Sequence, residues 1–389
     1  RQHLGVFLPE NSNMEIRLLE GADTLTIECF NNNMYTEKSR YRGGSFYNFT
    51  AVRGGDWVNI SNVVKVKPDG TSLTQSDGGD DSGVSGLIDK SFDSVPFVAT
   101  PVMGKGQPLN QTVKIEVKYG SDVKELNYYL HGDDETAFRD RWNTEKDSFG
   151  IIESEVMTIL IPYDDLEKTT NYYQQPNKGF STLNEFCNYW ERIVNKMDDM
   201  LGLELNPADP IDQNVRTRYF VKANYNGFGA AYYWNTHVAY NERSIANFFS
   251  VDWCGIHEFA HGYQGSLGGN RDMMLGEVGN NILGHYIQQN KELYPYEESW
   301  LGDFTQREDD FNRNRLETGV WIDRPDTELY TIINLFDHLE REETYRKLFK
   351  WYRRQCQAGR SLTQADAYAE GLAETSQVNV VPYLETWGI

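Results

Sequence analysis

Short segments that alternate apolar and polar residues fill the first 165 positions of the chain. An alternation with period two is typical of strands that bury one face. Gly, Asn, Asp and Pro separate the segments, and the clearest of them lie at 14–18, 25–29, 57–66, 113–117, 127–130 and 156–161. Several short strands of this kind predict a β-sandwich over residues 1–165.

The pattern changes to helical spacing after residue 178. Thr182 and Glu185 have the spacing of a capping box, which opens a helix. Apolar residues then recur at helical spacing at Leu183, Phe186, Trp190, Ile193, Met197 and Leu201. Helical patterns dominate from about residue 252 onward. The sequence therefore predicts an α+β, multidomain chain, with a β-sandwich at 1–165 and a mainly helical domain at 166–389.

The chain is acidic, and this narrows its range of partners. Its 389 residues include 37 Lys and Arg against 58 Asp and Glu, a formal net charge of −21. Such a chain repels phosphate backbones, so no nucleic-acid partner is expected. No apolar run approaches the roughly 18 residues that a spanning helix needs, which predicts no membrane span. The four cysteines form no C-x-x-C pair, which argues against a zinc ribbon.

His257-Glu-Phe-Ala-His261 is the strongest chemical signal in the sequence. Residues four apart share one face of a helix, so the two imidazoles can bind one zinc ion. Glu258 lies beside the first histidine, where it can take a proton from a water molecule that zinc activates. The alternative is an ordinary helix with two surface histidines. Apolar neighbours such as Ile256 and Phe259 predict a buried helix instead, in which these polar groups need a partner.

Glu277 is the predicted third metal ligand. Fifteen residues separate it from His261, glycines in between let the chain turn back, and the apolar spacing around Glu277 predicts a second helix. His285, two turns further along that helix, is the rival ligand. Asn280 or Asn281 lies about one turn from Glu277 and is expected to orient a ligating side chain. A helix cap or a surface position is the alternative for these two asparagines.

These features resemble the enhancin-type, mucin-degrading metallopeptidases of the gluzincin class. The resemblance rests on the histidine motif followed by Glu277-x-x-Asn-Asn, and on the segments at 5–9, 31–33, 94–97, 220–223 and 229–233. It implies a metallopeptidase domain at 166–389 in which His257, His261 and Glu277 bind one zinc ion and Glu258 is the general base. Enhancins are longer than this chain, so the resemblance implies a shortened or compact member without C-terminal glycan-binding modules.

The resemblance also implies a substrate and a setting. Enhancins and their bacterial relatives attack mucins, so an O-glycosylated glycoprotein is the expected partner. The expected location is extracellular, by secretion or by delivery to a gut lumen or mucosal surface. The oligomeric state is left open.

A Gly-rich aromatic segment precedes the predicted metal helix. In gluzincin-like sites a strand in this order lies along the cleft, where its free backbone groups can pair with an extended peptide. Gly229 and Ala230 are small and would leave room for a glycan. Tyr232, Tyr233 and His237 are the candidates for stabilising the oxyanion. Core packing is the alternative for all five residues.

The sequence thus predicts a zinc-dependent endopeptidase that hydrolyses mucin-like glycoproteins. One alternative is a catalytically weak glycoprotein-binding protein that keeps the metallopeptidase fold. A second is a zinc-dependent enzyme that is not a peptidase. The complete set of His257, Glu258 and His261 favours an enzyme over a binding protein.

Overall fold

The computed structural model describes most of the chain. The described ranges are 1–30, 47–69, 85–99, 112–170, 178–214, 218–223, 230–234, 237–240, 244–263, 276–296 and 325–387. Gly229 and the segment 31–33 lie outside them. Among the described residues, no helix combines the length and the apolar character that a membrane span requires.

The described ranges contain both strands and α-helices. The strands are β1 (Gln2–His3), β2 (Val6–Phe7), β3 (Asn13–Glu20), β4 (Thr24–Phe30), β5 (Tyr47–Val52), β6 (Val58–Ser61), β7 (Val63–Val66), β8 (Ile88–Ser91), β9 (Val95–Val98), β10 (Lys114–Tyr119), β11 (Lys124–Glu125), β12 (Asn127–Leu130), β13 (Phe149–Glu153), β14 (Met157–Pro162), β15 (Tyr219–Ala223), β16 (Ala231–Trp234) and β17 (His237–Tyr240). The helices are α1 (Glu135–Glu145), α2 (Leu183–Met200), α3 (Trp253–His261), α4 (Glu277–Gln289), α5 (Pro325–Asp337), α6 (Glu342–Gln357), α7 (Gln364–Ser376) and α8 (Val381–Trp387).

The chain divides into two compact units. The first contains residues 1–186 and 218–250, and the second contains residues 187–217 and 251–389. Helices α3 to α8 therefore belong to the second unit, and all the strands belong to the first.

Two antiparallel sheets of the first unit share one apolar core. Their strand orders are β1-β9-β4-β5 and β10-β3-β6. Met14, Ile16 and Leu18 of β3 are buried and contribute to the same core as Leu25 and Ile27 of β4. Buried residues alternate with more exposed ones along β3. The period-two pattern predicts this alternation, because successive side chains of a strand point to opposite faces. The chain is thus of mixed α and β composition, and the β-sandwich itself stays a prediction.

A six-stranded mixed sheet forms the rest of the strand structure in the first unit. Its order is β12-β13-β14-β15-β17-β16. Within the described chain β16 is an edge strand, antiparallel to β17. Phe220 of β15 packs against Phe30 and Phe97, so this sheet shares a core with the four-stranded one. Because β14 pairs with β15, strands from both sides of residue 165 lie in one sheet. The predicted division at residue 165 does not coincide with the two units.

Helix α1 interrupts the predicted series of strands. Asp134 caps it by accepting a hydrogen bond from the backbone N–H of Ala137. The helix buries only Phe138 and Trp142, too few apolar positions for its period to stand out in the sequence. The indole of Trp142 lies on β13 at Gly150, where a Cβ would come within 2.9 Å of the ring.

Helix α2 begins where the sequence predicts. The hydroxyl of Thr182 accepts from the N–H of Glu185 at 3.0 Å. The carboxylate of Glu185 accepts from the N–H of Ser181 at 2.7 Å, one residue earlier than a capping box requires. All the predicted apolar positions are buried, namely Leu183, Phe186, Trp190, Ile193, Met197 and Leu201.

A buried ion-pair network holds α6 in the second unit. The carboxylate of Asp212 accepts from Arg353 at 2.6 Å and from Arg354 at 2.8 Å. Arg353 also donates to the carbonyl oxygens of Leu201 and Gly202, just after α2. Burial alone would raise the pKa of Asp212. The hydrogen bonds and charges of Arg354 and Arg353 outweigh this effect and hold the pKa below its ordinary value of 3.8.

This network makes the stability of the second unit depend on pH. Since the pKa of Asp212 is lower in the folded state than in the unfolded state, its stabilising effect is present above about pH 4 and is lost as the pH falls through the folded-state pKa. Asp212→Asn is expected to lower the free energy of unfolding by about 3–5 kcal/mol at pH 7. The difference from the original protein should shrink as the pH falls below about 4.

Urea unfolding between pH 7 and pH 3 measures this difference. Glu340→Gln is the control, because Glu340 forms an exposed ion pair with Lys347 and such pairs contribute little. A loss of stability in Asp212→Asn that is as large at pH 3 as at pH 7 would contradict the assignment.

Candidate metal centre

Helix α3 carries both motif histidines on one face. Ile256 and Phe259 are fully buried on the rest of the helix. Trp190 of α2 stacks on Phe259, with ring centroids 4.4 Å apart and planes inclined by 27°. The apolar face of α3 is therefore held in the core of the second unit. The spacing of four residues presents His257 and His261 together.

Helix α4 begins at the predicted third ligand. Gly276 precedes it with φ of +55°, a conformation that glycine adopts without steric strain. Glu277 is the first residue of the helix, where a carboxylate is favoured by the helix dipole. Asn280 and Asn281 are buried on this helix among apolar neighbours. Buried polar side chains require hydrogen-bonding partners, so these two asparagines constrain what can pack against α4.

Helices α3 and α4 pack in opposite directions. Each turn toward the C-terminal end of α3 meets a turn nearer the N-terminal end of α4. This arrangement brings the predicted third ligand next to the histidine motif, although fifteen residues separate them in the sequence. The contacting pairs, in order along α3, are Trp253–Gly284, His257–Asn281 and His261–Glu277.

The side chains of His257, His261 and Glu277 converge on one point. Glu277 Oε2 lies 3.2 Å from His257 Nε2 and 3.4 Å from His261 Nε2. One ligand atom from each residue lies within 4.8 Å of the others, and the described residues contain no other such group of His, Cys, Asp or Glu. Bonds of about 2.0–2.1 Å to a tetrahedral zinc ion place neighbouring ligand atoms about 3.3 Å apart. The two measured distances fit that geometry.

The electrostatics of the cluster also suit a cation. Hydrogen bonds to His257 and His261 hold the pKa of Glu277 far below its ordinary value. Glu277 is thus ionised and presents only acceptor atoms. The His257 side chain is 10% exposed and that of Glu277 is 63% exposed. The cluster therefore has a buried side and a side open to solvent, and catalytic zinc sites keep such an open position.

Both asparagines of α4 contact the histidines. Asn281 Oδ1 lies 3.0 Å from His257 Nδ1. The other ring nitrogen of His257, Nε2, faces Glu277. Asn280 Nδ2 lies 3.0 Å from Nε2 and 3.2 Å from Nδ1 of His257, and 2.9 Å from His261 Nε2. Asn280 thus contacts both imidazoles, and Asn281 contacts that of His257. That either asparagine orients a ligating side chain stays a prediction.

Trp253 also belongs to this site, although the sequence argument does not single it out. Its indole N–H donates to Asn281 Oδ1 at 2.8 Å, and its ring centroid lies 4.5 Å from that of His257. The signal in the sequence was its position four residues before His257, which places both side chains on one helix face.

Glu258 and His285 have different relations to the cluster. Glu258 is buried on α3, directly after His257. His285 is also buried, and burial lowers its pKa to about 4. Its Nε2 lies 2.7 Å from the side-chain amide of Gln289. His285 is not part of the group formed by the motif histidines and Glu277, so the geometry does not support it as the rival ligand.

The remaining predicted site residues lie in the first unit. Ala230 is exposed and directly precedes the edge strand β16, while Gly229 lies outside the described residues. Tyr232 and Tyr233 are on β16 and His237 is on β17. His237 is buried, and burial together with nearby positive charges lowers its pKa well below the ordinary value. The roles of these residues toward substrate stay predictions.

The fold is similar to several solved bacterial structures. A conserved protein of unknown function from Bacillus anthracis str. Ames has 12% sequence identity and a TM-score of 0.66, over 100% of this chain and 70% of that one. The catalytic module of the metalloprotease ZmpA from Clostridium perfringens has 13% identity and a TM-score of 0.63, over 100% and 71% of the two chains. The M60 catalytic domain of ZmpC from C. perfringens, in complex with the sialyl T antigen, has 16% identity and a TM-score of 0.60, over 100% and 72%. At these identities the likeness concerns the fold.

The sequence itself identifies the family. A comparison with curated proteins finds no match. The family model for Peptidase M60, enhancin and enhancin-like, matches residues 169–388, which is more than half of the chain and includes both α3 and α4. The chain therefore belongs to the Peptidase M60 family of enhancin and enhancin-like metallopeptidases.

Proposed function

We propose that this protein is a zinc-dependent endopeptidase that hydrolyses mucin-like, O-glycosylated glycoproteins. The observation that carries the proposal is the convergence of His257, His261 and Glu277, with the buried Glu258 directly after His257 on α3. Membership of the M60 family supports a peptidase. The complex of the similar ZmpC domain with the sialyl T antigen supports a substrate that bears glycans. Because mucins are extracellular, the proposed setting is extracellular too.

The proposed chemistry uses the chain's own residues around one zinc ion. His257, His261 and Glu277 would hold the ion, which would act as a Lewis acid on a peptide carbonyl and make a water molecule more acidic. The carboxylate of Glu258 takes a proton from the water that attacks the carbonyl carbon, and later delivers it to the nitrogen of the leaving amine. Its burial excludes bulk water and strengthens its interaction with that proton.

The edge strand β16 is the proposed binding surface for the peptide. Among the described strands it lies at the edge of its sheet, and an extended peptide that adds to such an edge gains affinity with little demand on sequence. The small side chain of Ala230 at its start would leave room for a glycan. Tyr232, Tyr233 and His237 remain the candidates for stabilising the oxyanion, and Gly229 for the same glycan-tolerant segment.

The metal assignment predicts which substitutions release zinc. His257→Ala, His261→Ala and Glu277→Ala each remove one of three ligands and are expected to lower the zinc content well below one ion per chain. Elemental analysis after dialysis measures the content. His285→Gln is the matched control, since His285 is a buried histidine outside the cluster, and it should retain zinc. Full zinc content in all three ligand variants would refute the site.

The general-base assignment predicts a separation of binding from turnover. Glu258→Gln is expected to retain zinc and to lower kcat/KM on an O-glycosylated mucin peptide by about 10²–10⁴-fold, because an amide cannot accept the proton. Glu292→Gln, which changes an exposed carboxylate in the second unit, should cleave at the normal rate. Normal turnover in Glu258→Gln would remove Glu258 from the mechanism. A zinc-loaded original protein that binds mucin without cleaving it would favour the glycoprotein-binding alternative.

The edge-strand assignment predicts an effect on substrate affinity. Ala230→Trp places a bulky ring where the glycosylated peptide is proposed to pass, and KM for that peptide should rise roughly tenfold. Thermal stability should change little because Ala230 is exposed. Ala358→Trp, at an exposed helix end, is the control for a new surface ring. A large loss of stability with unchanged KM would instead place Ala230 in the packing of the unit.

A further inference from the structure

The side-chain amide of Asn281 has a determined orientation. An indole N–H can only donate, so the atom of Asn281 that lies 2.8 Å from Trp253 Nε1 must be the carbonyl oxygen. A backbone carbonyl can only accept, so the atom 2.7 Å from the Glu277 carbonyl oxygen must be the amide nitrogen. The two contacts agree on one orientation. Trp253 and the start of α4 thus hold Asn281 from opposite ends of its amide.

This orientation selects a tautomer of the His257 imidazole. Asn281 Oδ1 is an acceptor and lies 3.0 Å from His257 Nδ1, so Nδ1 carries the hydrogen. In the neutral ring Nε2 then holds the lone pair that a metal ion requires. When no metal is bound, the ionised carboxylate of Glu277, 3.2 Å from Nε2, competes by favouring a hydrogen on that nitrogen. A neutral imidazole in the other tautomer could not offer Nε2 to a metal.

The indole is itself held in place by the two helices. It lies against His257 of its own helix, with ring centroids 4.5 Å apart. Its pyrrole edge lies against Gly284 of α4, where a Cβ would be 3.7 Å from Cδ1 and 3.8 Å from Nε1. Trp253 therefore contacts both His257 and α4 while it donates to Asn281.

We propose that Trp253 is a positioning residue for the metal centre, which acts through Asn281 to hold His257 as the Nδ1–H tautomer with Nε2 toward Glu277 and His261. The proposal rests on the proposed function for the identity of the metal. Partners of metal-ligating histidines of this kind change metal affinity by about 10–100-fold when they are removed. Asn281 keeps its hydrogen bond to the Glu277 carbonyl when Trp253 is replaced. We therefore expect the decrease in metal affinity to be near the lower end of that range.

The first test measures zinc affinity by competition with a chelator. Trp253→Phe and Trp253→Tyr both keep an aromatic ring and remove the indole N–H, and each is expected to weaken zinc binding about tenfold. Trp190→Phe is the matched control, because Trp190 stacks on α3 through Phe259 and does not belong to the cluster. It should lower thermal stability and leave zinc affinity unchanged. If both Trp253 variants bind zinc as tightly as the original protein does, the proposal is wrong.

A double substitution tests whether Trp253 acts through Asn281. Asn281→Ala should weaken zinc binding, and adding Trp253→Phe should then have little further effect, because the partner of the indole is already gone. If the two effects multiply instead, Trp253 acts independently of Asn281 and the proposal is wrong.

The second test needs no metal and separates this inference from the proposed function. ¹⁵N spectra of histidine-labelled, zinc-free protein report which ring nitrogen carries the hydrogen. Glu277→Ala removes the carboxylate that competes for a hydrogen on Nε2 and keeps the backbone carbonyl that holds Asn281. In the zinc-free Glu277→Ala protein His257 should be the Nδ1–H tautomer, and it should be a mixture when Trp253→Phe is added. The Nε2–H tautomer in Glu277→Ala would overturn the inference. Failure of the original protein to bind zinc, with the tautomer as expected, would overturn the proposed function and leave the positioning role supported.

Discussion

The register between α3 and α4 is the constraint on which the candidate metal centre depends. His257 and His261 face Glu277 only because α4 returns antiparallel to α3 and meets it turn for turn. A helix rotates about 100° per residue, so a slip of one residue would turn Glu277 away from both imidazoles. No local property of either helix supplies this register. It is a property of how the two helices pack.

Contacts with α2 and with α4 hold α3 in the second unit. Phe259 stacks on Trp190 on the apolar side of the helix. At its C-terminal end, the Tyr263 hydroxyl donates to the buried carboxylate of Asp198 at 2.9 Å. On the side of α4, buried asparagines require partners, and a shifted register would leave them without the ones they have. Polar groups in a packed interface thus specify one arrangement, whereas apolar contacts would tolerate several.

The predicted site residues are distributed over the two units. The second unit contains the cluster of His257, His261 and Glu277 together with Glu258. The first unit contains β16, which lies at the edge of the six-stranded sheet among the described strands. The likeness to the C. perfringens and B. anthracis structures concerns this fold. The chemistry proposed for the chain rests on its own residues.

The sequence by itself determined the elements and the residue types of the site. Period-two alternation predicted β3 and β4, and the stripe from Leu183 to Leu201 predicted α2, because burial of one face leaves a regular pattern along the chain. β14 was also predicted as a strand, although the structure buries it on both faces. The histidine motif of α3 could also be recognised in the sequence, because two ligands on one helix need a fixed spacing. Glu277 could be predicted as the third ligand, with His285 as its rival. Helix α1 escaped prediction because it buries only two apolar side chains.

The tertiary structure decided which residues contact each other when they are far apart in the sequence. It placed Glu277, and not His285, with the histidines. It gave Asn280 and Asn281 different contacts, and it brought Trp253 to Asn281. It also paired β14 with β15, so that one sheet crosses residue 165. A local pattern shows which face of a helix or strand is buried. It does not show which other helix or strand packs on that face. Hydrogen bonds and metal sites depend on that packing partner, so only the tertiary structure identifies them.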